Sequence, residues 1–264
     1  MKLISGDVKL TPKERVQYLA QNLWAGFIGN FSLLKTHYWF TSDLESGKSS
    51  PGRKYIDSFL KNQIKDLTTP REISMLDIGC GSGYIRKILS EQGFSGKYLG
   101  VDVQDYYQRD LTSKFSHDFV QKRIEDFESS EKFDLIISNT ALEHIEQDKL
   151  AIEKCHGFLK SGGVAVHMVP SSAALFLYLF HGYRQYSRRR IATLFDGKDI
   201  TVYRLGGLFS FLWHFILIAI PVHIFRRDFF RKFRWYSTCI PTMNKLDRLI
   251  PIFPCIYIIV DKKS

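Results

Sequence analysis

The stretch Met75–Gly83, M-L-D-I-G-C-G-S-G, limits what this chain can fold into more than any other. Ile73, Met75, Leu76 and Ile78 lead into it as a buried strand, and Gly79, Gly81 and Gly83 alternate as a tight turn. A helix pattern follows, with Ile85, Ile88 and Leu89 on one face and Gly93 as its stop. Glycine is required where a ligand approaches the backbone, because a Cβ would collide with it. The N–H groups at the helix start then face whatever lies above the turn.

Two ligands compete for such a turn. A dinucleotide site carries G-x-G-x-x-G, with the pyrophosphate on the helix N-terminus. Here the spacing is G-x-G-x-G, and Asp77 precedes it. A carboxylate there repels a pyrophosphate and suits a cationic amino-acid moiety. A second acid, Asp102 in Y-L-G-V-D, stands about 20 residues on, where a carboxylate takes ribose hydroxyls. The residues therefore point to a nucleoside with a positive group. A sheet of this kind that binds nothing, or another nucleotide, is the plainer alternative.

The chain resembles the class I S-adenosylmethionine-dependent methyltransferases. The residues that carry the resemblance are L-D-I-G-C-G-S-G (76–83), G-V-D (100–102), I-E-D-F (124–127), F-D-L-I-I-S-N-T-A-L-E-H-I (133–145) and F-L-K-S-G-G-V (158–164). They stand in the family's order, over roughly residues 70–172, and look nearest to the enzymes of quinone-type and other small-molecule acceptors. The resemblance implies an α/β fold, a seven-stranded Rossmann-like sheet with helices on both faces. S-adenosylmethionine is the implied cofactor. It also implies a set of contacts: Gly79, Cys80, Gly81 and Gly83 around the methionine part and ribose, Asp77 toward the amino group, Asp102 on the ribose, Val103 on the adenine face, and Asn139 after the fourth motif strand. Many relatives read the adenine edge with an acid-alanine pair. Arg123 and Ile124 stand there instead, leaving the Ile124 backbone or Glu125 to substitute. For an acceptor that needs a base, His144 in L-E-H-I, expected to begin the helix after the fourth strand, is the first catalytic candidate, with His167 and His37 behind it. Glu143 and His144 serving only to cap a helix is the structural alternative.

Strand and helix alternate through the cofactor core (71–172), and the resemblance implies an N-terminal helical cap (1–70), a hydrophobic and basic insertion (173–250) and a final strand (251–264) around it. Strands are expected at 73–78, 97–102, 118–121, 133–138 and 164–169, with a sixth at 200–205. Gly162-Gly163 is expected to turn into the fifth of these. In the cap, Val16–Leu34 suggests one or two helices broken near Gly26 and Gly29. Tyr55, Ile56, Phe59, Leu60 and Ile64 mark an amphipathic helix. His37, Tyr38 and Trp39 are either core or part of a substrate pocket.

The insertion departs from a minimal fold of this type. Leu205–Phe225 runs without a charge, and R-R-D-F-F-R-K-F-R-W (226–235) follows. The run is long enough for a transmembrane helix. One crossing, however, would part the final strand from a sheet in which the resemblance sets it beside the fifth strand. That leaves a lid or in-plane membrane helix whose basic flank meets anionic headgroups, a buried cap over an apolar substrate, or a re-entrant hairpin broken at Pro221. The net charge of +10 admits nucleic acid as well. Interleaving of the basic residues with phenylalanines, and S-N-T-A in place of an Asn/Asp-Pro-Pro-aromatic motif, argues against it. Cys80, Cys155, Cys239 and Cys255 show no C-x-x-C pair and no metal-site spacing, and the N-terminus lacks a signal peptide's apolar core. A cytoplasmic chain with reduced thiols is expected, peripheral on the inner membrane face. The sequence reading is O-methylation of a small apolar or lipid-linked acceptor. An RNA methyltransferase, and a scaffold that binds the cofactor without turnover, remain as alternatives.

Overall fold

The computed structural model describes residues 3–29, 32–68 and 71–264. In chain order the strands are β1 (His37–Trp39), β2 (Glu72–Ile78), β3 (Ser95–Asp102), β4 (Phe115–Gln121), β5 (Phe133–Asn139), β6 (Leu159–Pro170), β7 (Asp199–Leu205) and β8 (Ile256–Lys262). The helices are α1 (Pro12–Gly29), α2 (Pro51–Asn62), α3 (Ile64–Leu67), α4 (Tyr84–Glu91), α5 (Asp148–Phe158), α6 (Arg188–Leu194), α7 (Leu208–His214), α8 (Ile220–Phe225) and α9 (Arg234–Asp247). The sheet order is β1-β7-β8-β6-β5-β2-β3-β4. Among the described residues the expected seven strands are therefore eight. The added strand is His37–Trp39, which pairs parallel to Tyr203–Leu205. Three residues are too few to show a period of two, so only the partner strand defines it. The final strand lies next to β6, as expected from the resemblance.

The chain divides into two compact units. One comprises residues 59–168, 194–201 and 259–264. Here β2 pairs in parallel with β3 on one side and β5 on the other. Strand β4 lies outside β3, and β6 outside β5. Met75, Leu76, Leu135, Ile136, Ile137, Ala165 and Val166 are almost wholly buried, the continuous apolar run of a parallel sheet covered on both faces. The Gly162-Gly163 turn falls inside β6 as an irregularity: Phe133 pairs with Leu159, but Leu135 pairs with Val164. Gly162 takes a φ of 75°, which a residue without a Cβ adopts freely.

The other unit comprises residues 1–58, 169–193 and 202–258. Helix α1 runs through Gly26, where a break was expected; a Cβ there would lie 3.2 Å from Ser172 Cβ, so a close packing contact replaces the stop. Residues 30 and 31, inside the stretch expected to be helical, lie outside the described residues. Tyr18 is fully buried with Leu10 and Leu175, and its hydroxyl donates to the His181 carbonyl at 2.8 Å. The apolar run becomes a helical segment from Leu208 to Phe225, in which a π-turn (Phe215–Ala219) joins α7 to α8. Pro221 has no N–H to give the carbonyl of Leu217, which accounts for the widened turn just before it. Asp247 accepts the N–H groups of Phe209 and Ser210 at 2.8 and 3.0 Å and so caps α7. Tyr55 donates to the same carboxylate at 2.9 Å.

Candidate functional site

Register brings the motif residues together. Ile78 pairs with Val101 of β3 and with Ser138 of β5. The residues that follow each of them, Gly79, Asp102 and Asn139, therefore stand side by side at the carboxyl edge of the sheet. β2 continues to opposite neighbours there, the place where open α/β sheets bind ligands.

The turn is built from left-handed glycines: φ is 65° at Gly79, 50° at Gly81 and 74° at Gly83. Gly79 N–H donates to the Val101 carbonyl at 2.8 Å, and Gly81 N–H donates to Asp102 Oδ2 at 2.8 Å. The three glycines differ in what they face. A Cβ on Gly79 would come within 2.4 Å of Ala141 Cβ, and one on Gly83 within 2.6 Å of the Tyr107 ring; one on Gly81 would meet nothing within 4 Å. Gly79 and Gly83 are fixed by packing, whereas Gly81 borders open space. Cys80 is buried against Gly100, and burial pushes its thiol well up, so it stays protonated.

Asp77 is 1% exposed, and Tyr98 donates to its Oδ2 at 2.7 Å. Burial, then the adjacent Asp77, push the Tyr98 phenol up and keep it a donor. Arg86 is fully buried beside them; it donates to the Gln108 carbonyl, and its guanidinium lies 4.8 Å from the Tyr107 ring centroid. Tyr98, Tyr107 and Arg86 form a polar and aromatic floor under the turn that the sequence did not announce. An arginine in an amphipathic helix reads as surface, and a tyrosine inside a strand reads as core.

Of the other predicted residues, Val103 is 56% exposed at the strand end, and Ile124 is buried on a short turn. Glu125 pairs with Arg123 at 2.7 Å. Asn139 is half-buried, and its Oδ1 is buried without a partner among the described residues. His144 is exposed on a single 3-10 turn (Leu142–His144) rather than at a helix start, since α5 begins only at Asp148. His167 is fully buried, with Nδ1 2.8 Å from Ser138 Oγ, and burial pushes it down to about 4, leaving it neutral. His37 is exposed on β1, 6.1 Å from the Tyr203 ring; Trp39 is buried and Tyr38 half-buried.

A family model described as a methyltransferase domain matches residues 76–167. A malonyl-[acyl-carrier protein] O-methyltransferase of Acetivibrio thermocellus is 29% identical over 127 residues, 44% of this chain and 45% of that protein. This chain carries a class I S-adenosylmethionine-dependent methyltransferase domain. A ubiquinone biosynthesis O-methyltransferase of Rickettsia felis is 26% identical over 140 residues, 50% of this chain and 55% of that protein. The chain thus spans about half the length of the curated relatives it matches. Among solved structures, the N-methyltransferase NodS of Bradyrhizobium japonicum WM9, in complex with S-adenosyl-L-homocysteine, has the same fold. It aligns with a TM-score of 0.53 at 15% identity, over 82% of this chain and 89% of its own.

The methyltransferase domain fits S-adenosylmethionine on two observations. The backbone at Gly81 borders open space, and the Asn139 acceptor is buried without a partner among the described residues. The donor set agrees: the Asp102 carboxylate suits hydroxyls, while the Asp77 carboxylate suits a cation.

Proposed function

We propose that the chain transfers a methyl group from S-adenosylmethionine to a small apolar or lipid-linked acceptor presented at a membrane surface, with O-methylation as the chemistry. The observation that carries the catalytic half is the convergence of Gly79, Asp102 and Asn139 at one edge of the sheet. In this reading Asp102 takes the ribose hydroxyls, Val103 covers the adenine, and the Ile124 backbone or Glu125 meets the adenine edge. Gly79, Cys80, Gly81 and Gly83 shape the turn around the methionine part. Asp77 acts on its amino group directly or through water, held in place by Tyr98. When bound, the cofactor supplies a methyl group already activated on a sulfonium, so positioning carries most of the catalysis. His144, on its exposed turn, is the candidate for taking a proton from the acceptor hydroxyl.

The membrane half rests on the segment Leu208–Phe225, of which 28% is buried. Ser210, His214, Ile218 and Pro221 form its inward face, while Leu212, Ile216 and Ile224 are exposed. Exposed aliphatic residues in one row, followed by exposed Arg227, Lys232 and Arg234 and by Trp235, suit a helix lying in the headgroup plane. The strand order supports lying over spanning, because β7 before the helix and β8 after it belong to one sheet.

The test uses methyl-labelled S-adenosylmethionine with lipid, soluble and RNA fractions of cells that lack this enzyme. Label in the organic phase is expected. Label confined to RNA would overturn the reading, and no label anywhere would leave a binding scaffold.

A further inference from the structure

A cavity of about 440 Å³ lies in the unit that contains α1 and α8, lined by Gly6, Val8, Lys9, Leu10, Arg15, Leu179, Phe180, His223 and Arg226. We propose that it binds a phosphoryl head group attached to an apolar chain, the chemistry of an anionic lipid.

The lining divides by chemistry. Lys9, Arg15 and Arg226 bring three cationic side chains, and the lining residues include no carboxylate. Leu10, Leu179 and Phe180 bring an apolar wall, and Arg15 lies 5.6 Å from the Phe180 ring centroid, where the two sets meet. A volume in this range suits a small ligand rather than a single ion. Arginine and lysine together serve phosphate oxygens, by bidentate bonds and by point charge.

Two further observations point to a ligand. His223 Nε2 is buried without a partner among the described residues. An imidazole nitrogen without a partner can meet a phosphate oxygen as a donor or a ligand hydroxyl as an acceptor, according to its tautomer. Backbone strain also gathers here. Phe180 and Arg226 both take a φ of 56°, a conformation normally left to glycine. Arg226 holds it at the end of α8, where glycine is the usual terminator. A side chain kept at a strained position is explained when that side chain has work in the cavity.

The proposal deepens the membrane half of the reading above, adding head-group selectivity to the non-specific affinity of the exposed helix face. It is independent of methyl transfer. Titration calorimetry on the full chain with dihexanoyl phosphatidic acid, kept below its micelle concentration, tests the cavity without a bilayer. Binding is expected, with none for dihexanoyl phosphatidylcholine. The double variant Lys9→Gln/Arg15→Gln should weaken binding roughly ten-fold or more. Arg226→Gly should weaken it too while holding or raising the unfolding temperature, because glycine relaxes the strain; this separates lost binding from lost folding. No binding of the soluble lipid, or binding by both variants as tight as that of the wild type, overturns the proposal. Inorganic phosphate binding as tightly as the lipid would make the source a soluble phosphate and overturn the apolar part. Flotation of the same protein with phosphatidylglycerol vesicles is scored separately: flotation without phosphatidic acid binding removes the cavity alone, and the converse removes the membrane helix alone.

Discussion

His167 gives a quantitative handle on the core of the methyltransferase domain. It is fully buried in β6, bonded through Nδ1 to Ser138 Oγ at 2.8 Å, with its ring centroid 5.6 Å from that of Phe195. Burial pushes it down from 6.5 to about 4. Between these values the unfolded chain binds the proton and the folded one does not. The stability this neutral histidine confers is therefore complete above about pH 6.5 and is lost as the pH falls through 4. The full difference corresponds to roughly 3 kcal/mol, and about 2 kcal/mol is already gone at pH 5. His167→Asn removes the titration, and its amide can still meet Ser138. Urea unfolding at pH 8 and pH 5 should show the wild type losing about 2 kcal/mol more than the variant. His214, pushed down to about 3 mainly by burial, destabilises both proteins alike, so the comparison between them isolates His167. Equal losses in the two, or an imidazole proton resonance of His167 that titrates near 6.5, would refute the reasoning.

Three other outcomes are expected. Asp102→Ala should lower S-adenosylmethionine affinity by about a hundred-fold or more, as the loss of charged hydrogen bonds implies, with an unchanged circular dichroism spectrum; unaltered affinity by calorimetry would remove Asp102 from the site. Gly81→Ala should cost only the roughly 1–2 kcal/mol of a left-handed non-glycine residue while weakening cofactor binding. Gly79→Ala should cost more, because its Cβ meets Ala141 at 2.4 Å, and equal melting temperatures for the two would contradict the packing argument. Arg227→Gln, Lys232→Gln and Arg234→Gln together, with Arg226 kept, should weaken sedimentation with anionic liposomes in a salt-dependent way, by about 1 kcal/mol per charge removed. A wild type indifferent to liposomes would return Leu208–Phe225 to the role of a buried cap.

The sequence by itself determined what depends on neighbours in the chain. An apolar run into alternating glycines can only be a strand, a left-handed turn and a helix, because φ preference is local. The strand ends placed Asp77, Asp102 and Asn139 at one edge once the strands were known to be parallel, since all parallel carboxyl ends face the same way. Tertiary structure decided what depends on residues distant in the chain. β1 exists through its pairing with β7, because three residues carry no period of their own. His144 sits on a short turn because α5 waits for Asp148, and an acidic residue in the first turn is favoured by the helix dipole. Asp77 is held by Tyr98, and Arg86 is buried under the turn among aromatic rings. A sequence pattern sorts residues by average polarity. Which buried charge finds a partner, and which glycine faces open space, is settled only where separate segments meet.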